Sequence, residues 1–189
     1  MKVGLLLLTG GQGSRLGVPK HSLAHPAGPS WGGHLVAVFR VVFPEGPIQI
    51  LGEPLSDHPE LQVVADPRQG PAVALAHWAT LPVPAVDLWW VVACDQVRWK
   101  AEELQAWVTQ AQQADPACGR WVLGRSEGRL QPLGGLLPHG LRSALAASKL
   151  RSLWALAESL PHCILDNNLP GWRDVDTPEE KRCFEEESL

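Results

Sequence analysis

An unbroken apolar run near the start of the chain, Val3–Leu8, limits the possible folds more than any other feature. It lacks the in–out alternation of a strand with one wet face. It therefore reads as a central strand covered on both sides, as parallel sheets require. The run is too short to cross a bilayer. It stops at Thr9-Gly10-Gly11, without the longer apolar core and cleavage site of a signal peptide. A second such run, Leu88–Ala93, leads straight into Cys94-Asp95. The two are expected to be neighbouring central strands, with Lys20 and Asp95 on one side of the sheet.

Helical patterns alternate with short strands along the rest of the chain. His34–Val42, Pro71–Leu81, Ala101–Ala114, Leu141–Ser148 and Ser152–Leu160 read as helices. Ile48–Leu51, Leu61–Ala65, Arg120–Gly124, Leu130–Leu137 and Cys163–Leu165 read as strands. Thr177-Pro178-Glu179-Glu180 is a capping box that opens a final helix. This order implies an α/β fold, a Rossmann-like three-layer sandwich around a mainly parallel central sheet. With 189 residues and no internal repeat or low-complexity linker, one domain over 1–189 is expected.

Composition narrows the function classes. The chain is 45% hydrophobic and 19% charged, which excludes wholesale disorder. A net charge of −4 without a basic stripe argues against a nucleic-acid partner, and no segment reads as membrane-spanning. Cys94, Cys118, Cys163 and Cys183 form no C-x-x-C pair, so reduced thiols in a cytoplasmic protein are expected. Trp89 and Trp90 lie inside a strand and read as core.

The chemistry concentrates in the loop after the first strand, Gly10-Gly11-Gln12-Gly13-Ser14-Arg15-Leu16-Gly17-Val18-Pro19-Lys20. Glycines such as Gly10, Gly11 and Gly13 let successive N–H groups close on an anion. Arg15 and Lys20 add two positive charges, as a triphosphate needs. The loop is not a P-loop, because Lys20 lies between Pro19 and His21. It is not the dinucleotide fingerprint either, because Gly17 falls one position late. Asp95, at the carboxyl end of a buried strand, suits Mg²⁺, which takes one or two carboxylates plus phosphate oxygens. Asp66-Pro67-Arg68-Gln69-Gly70-Pro71 is either a base- or ribose-reading loop or a plain strand-to-helix turn. Asp174 and Asp176 are either acids at a helix N-terminus or, for Asp176 above all, a second metal ligand.

These motifs together resemble the sugar-nucleotide and cofactor nucleotidyltransferases. The opening loop, then Arg68-Gln69-Gly70-Pro71, Cys94-Asp95, Gln131-Pro132-Leu133 and Asp176-Thr177-Pro178-Glu179-Glu180, follow the order of the molybdenum cofactor guanylyltransferase (MobA) family. The resemblance implies GTP and Mg²⁺ as ligands and a molybdopterin-type acceptor. It also implies that Leu8, Thr9 and Gly10 line a guanine pocket, Lys20 holds phosphate, Asp66 touches the nucleoside and Asp95 binds Mg²⁺. Thr9, Leu16, Pro19 and Val97 depart from the family's usual Ala, Met, Asp and Pro, and an expected Asn is replaced near Gly52. Asp174 and Asp176 stand where guanylyltransferases often carry Asn, which brings the chain closer to the cytidylyltransferase relatives.

The implied reaction has the acceptor phosphate attacking the α-phosphorus in line while pyrophosphate leaves, with Arg15, Lys20 and Asp95 as the catalytic set. A monomer or weak homo-oligomer is expected. The rivals are a cytidylyltransferase, a nicotinamide-dependent reductase, which the late Gly17 disfavours, and a non-catalytic nucleotide-binding protein.

Overall fold

The computed structural model describes residues 1–10, 17–126 and 128–187. In chain order the strands are β1 (Val3–Leu8), β2 (Ile48–Leu51), β3 (Gln62–Val64), β4 (Leu88–Ala93), β5 (Trp121–Ser126), β6 (Arg129–Pro138) and β7 (His162–Asp166). The helices are α1 (Trp31–Val42), α2 (Pro71–Thr80), α3 (Ala101–Ala114), α4 (Arg142–Ala147), α5 (Leu153–Ser159) and α6 (Pro178–Glu187). All seven strands join one sheet in the order β3-β2-β1-β4-β6-β5-β7. Only β6 runs against the rest. β1 and β4 pair in parallel along their whole length, from Val3 opposite Leu88 to Leu8 opposite Ala93.

The lack of alternation in β1 and β4 now has its cause. Val3, Leu5 and Leu7 of β1, with Leu88, Trp90 and Val92 of β4, enter a core closed by α1 and α3. Leu6 and Leu8, with Trp89 and Val91, enter the opposite core, closed by α2, α4 and α5. Both faces of each strand are dry, which makes three layers. Trp89 and Trp90 are fully buried, one in each core. Removing either ring would cost about 3–5 kcal/mol. Gly4 makes room for Trp89, since a Cβ there would lie 2.6 Å from the indole. All four cysteines are free thiols. No helix among the described residues is long and apolar enough to cross a membrane.

Some boundaries differ from the sequence reading. α1 starts at Trp31 rather than His34, because Ser30 caps it by accepting from the Gly33 N–H at 3.0 Å. The Ser cap and tertiary packing outweigh the two helical glycines, whose missing side chains let α1 close on Leu55 and Asp57. The stretch expected to be helical from Leu141 begins with a 3-10 turn, His139–Leu141, and α4 ends at Ala147. The capping box forms as expected: the Glu180 N–H donates to Thr177 Oγ1 at 3.2 Å, and the Thr177 N–H donates to Glu180 Oε2 at 2.8 Å.

Candidate active site

β1 connects to β2 on one side of itself, and β4 joins it on the other, so connections diverge between β1 and β4. Open α/β sheets bind ligands at the carboxyl ends of strands that part in this way. A cleft of about 1270 Å³ lies there, lined by Leu8, Gly10, Gly52, Asp66, Asp95 and Asp174 among others.

One end of the cleft is a charge cluster. The Lys20 ammonium donates to Asp95 Oδ2 at 2.8 Å and also to Asp176 Oδ1. Lys20 comes from a short 3-10 turn after the Gly-rich loop, Asp95 from the end of β4, and Asp176 from the turn before α6. Local backbone bonds hold that turn in place. The Val175 N–H donates to the Asp95 carbonyl at 3.1 Å, and Glu180 accepts from the Asp176 N–H at 2.8 Å.

Burial disfavours the Lys20 ammonium, but Asp95 and then Asp176 outweigh it, and its pKa is raised above the ordinary lysine value. Asp174 also lines the cleft. Its surface is accessible, yet protein surrounds most of the carboxyl where it lines the cleft. Loss of hydration, followed by repulsion from Asp95 and Asp176, pushes its carboxyl up to about 7, with Lys20 opposing.

Two carboxylates on one ammonium, with the Asp174 carboxyl close enough to feel their charge, suit a hard divalent cation. Among the described residues, no three acidic, His or Cys side chains are already gathered as a ligand set. That is compatible with Mg²⁺, which takes few protein carboxylates and completes its shell with phosphate oxygens and water. Asp95 and Asp174 line the cleft, and Lys20 is bonded to both Asp95 and Asp176.

The other end is built from the loops after β2 and β3. Gly52 has φ +128° and packs so tightly on the Gly10 backbone that a side chain would overlap it. Gly10 in turn lies against the Asp66 carboxylate. Thr9 is buried, and its hydroxyl donates to the Glu53 carbonyl at 2.7 Å. It joins two loops rather than offering its hydroxyl to the cleft. Asp66 Oδ1 accepts from the Arg68 N–H at 2.7 Å, and Arg68 adopts φ +57°. Arg68 Nη2 then donates to Glu53 Oε1 at 2.7 Å, and both residues line the cleft.

The structure thus brings Leu8, Gly10, Lys20, Asp66, Asp95 and Asp176 to one sheet edge. Gly11, Gly13 and Arg15 lie outside the described residues. The sequence reading passed over Glu53 and gave Arg68 no role of its own. The only signal in the sequence was the polar Gly52-Glu53 step after β2, where the family's Asn was missing.

Residues 5–163 match the MobA-like NTP transferase domain. No curated protein matches the chain. Molybdopterin-guanine dinucleotide biosynthesis protein A from Archaeoglobus fulgidus superposes with a TM-score of 0.71 at 17% identity, over 98% of this chain and 97% of that one. Rv0371c from Mycobacterium tuberculosis H37Rv gives 0.70 at 19% identity, over 98% of each. The same protein has been solved as a complex with manganese, with a TM-score of 0.64 at 18% identity over 98% and 99%. The 2-C-methyl-D-erythritol 4-phosphate cytidylyltransferase from Thermus thermophilus gives 0.65 at 15% identity, over 100% and 99%. These likenesses establish a common fold.

Proposed function

Because this chain belongs to the MobA-like NTP transferase family, and is therefore a nucleotidyltransferase, we propose that it transfers GMP from GTP to the phosphate of a molybdopterin-type acceptor. The observation that carries the transfer chemistry is the meeting of Lys20, Asp95, Asp174 and Asp176 at the β1–β4 switch point; the choice of GTP and of a molybdopterin-type acceptor rests on the family's motifs. In the reaction, an acceptor phosphate oxygen forms a bond to the α-phosphorus. The bond from that phosphorus to the β-phosphate bridging oxygen breaks, and pyrophosphate leaves. An acceptor phosphate is already ionised at neutral pH, so no general base is required.

The chain's own groups do the rest by position and charge. Lys20 has three N–H donors and spends two on carboxylates, so the third can reach a phosphate. Its raised pKa keeps it charged through the neutral range. Arg15, from the same loop, adds a second positive charge for the leaving pyrophosphate. Asp66, which lies against Gly10 where the loop leaves β1, would contact the nucleoside. Asp95 and Asp174, which line the cleft, are the carboxylates that would hold Mg²⁺, with Asp176 beside them on Lys20. Bound there, Mg²⁺ would offset charge on the phosphates and on the leaving group. The proposed setting is the cytoplasm, to which free thiols are suited.

A second reading, transfer of CMP, is favoured by the acids at 174 and 176. Pyrophosphate release with GTP, CTP or ATP, in the presence of Mg²⁺ and molybdopterin, distinguishes the two. GTP is expected to support the highest kcat/KM. A preference for CTP would move the assignment to cytidylyl transfer, and no release with any nucleotide would overturn the molybdopterin-type acceptor.

A further inference from the structure

The exposed ion pair Glu53–Arg68 is built with more care than its stability value explains. Its side chains are 49% and 77% exposed, and such pairs contribute at most about 1 kcal/mol. Yet four features hold it in place. Arg68 is a non-glycine residue at positive φ. Asp66 accepts from its N–H. Gly52 has positive φ and packs on Gly10. The Glu53 carbonyl is tied to Thr9. An arginine held at positive φ and bonded into a weak surface pair at the cleft points to a ligand rather than to the fold.

Position identifies the part of the ligand. Asp95 follows β4, Glu53 follows β2 and Arg68 follows β3, in the strand order β3-β2-β1-β4. The pair therefore lies two to three strand spacings, about 10–14 Å, from the Lys20–Asp95 cluster. A nucleotide with its phosphates at that cluster would present its base to this pair. A carboxylate there repels phosphate and requires N–H donors from its partner.

We propose that Glu53 is a specificity-determining residue. Its two carboxylate oxygens would accept from the N1–H and the 2-amino group of a guanine base, while Arg68 donates to the adjacent O6. Guanine offers those two parallel donors beside an acceptor. Adenine has an acceptor at N1, cytosine has a single amino donor, and hypoxanthine lacks the 2-amino group. The assignment rests on the guanylyl reading above and adds the group that selects the base.

The test compares GTP with ITP, which differ only in the 2-amino group, in wild-type protein, Glu53→Gln and Arg68→Ala. A carboxamide keeps the volume but has one acceptor oxygen, and its NH₂ meets a donor. Glu53→Gln is expected to raise KM for GTP by roughly 10- to 100-fold and to bring the GTP:ITP ratio of kcat/KM towards one. It should leave kcat within a few-fold and the melting curve unchanged. Arg68→Ala is expected to raise KM for both nucleotides alike, because both carry O6. If wild type prefers GTP and Glu53→Gln keeps the wild-type GTP:ITP ratio, the assignment to Glu53 is overturned while guanylyl transfer stands. If wild type turns over CTP and not GTP, the guanylyl reading itself has failed.

Discussion

Replacing Asp95 with Asn removes one charge and almost no volume, which makes it the cleanest probe of the charge cluster. The backbone around it should not notice. The bonds that hold the neighbouring turn use the Asp95 carbonyl and the Ala93 carbonyl, not the side chain. The Lys20–Asp95 contact is partly buried, at 17% and 21% exposure, but Lys20 keeps Asp176 and a carboxamide oxygen can still accept from it, so the substitution costs about 1 kcal/mol. In a protein of this size that lowers Tm by roughly 2–4 °C. The effect on turnover should be far larger. Removing one preorganised charge partner at a reacting phosphate lowers kcat by about 10²–10³.

The same substitution has a local electrostatic signature. Asp95 is the leading like charge on Asp174, so the Asp174 pKa should fall from about 7 towards the usual carboxylate range. The assays are Mg²⁺-dependent pyrophosphate release with GTP and molybdopterin, a melting curve, and NMR titration of the Asp174 carboxyl. Near-normal turnover in a folded Asp95→Asn protein would refute the site. An unmoved Asp174 titration would refute the electrostatic account of the cluster.

Lys20→Ala should raise KM for the nucleotide and lower kcat together, because the ammonium meets phosphate before and during transfer; a change in KM alone would limit Lys20 to ground-state binding. The protein should lose stability in acid through His25 and His34, whose rings stack at 3.7 Å. Burial, followed by the neighbouring His34, lowers His25 from 6.5 to about 4, and burial lowers His34. The unfolded chain therefore binds more protons below pH 6.5, so this stabilisation is intact above that pH and lost progressively towards pH 4. His25→Phe should flatten the fall in Tm over that window, and an equally steep fall would assign it to other groups. Gly4→Ala, which sets a Cβ 2.6 Å from the Trp89 ring, should cost about 1–3 kcal/mol in denaturant unfolding while leaving KM unchanged.

The elements legible in the sequence were those whose signal is local. Val3–Leu8, Ile48–Leu51, Leu88–Ala93 and Ala101–Ala114 have the expected boundaries, because two-sided burial and a helical stripe are written in consecutive residues. The Thr177–Glu180 box was legible for the same reason: its donor and acceptor lie three residues apart. Asp95 and Lys20 could be singled out because each follows a recognisable strand or loop. What only the tertiary structure decided was juxtaposition. Lys20 lies 75 residues from Asp95 and 156 from Asp176, and no window of sequence records that one ammonium joins both acids. Glu53 and Arg68 each look like ordinary loop residues; they become a pair because β2 and β3 are parallel neighbours that end together at the cleft. The antiparallel setting of β6 is of the same kind, since strand direction depends on which partner the chain returns to. Local pattern determines which residues can be buried, but a binding site depends on which distant residues that burial brings together.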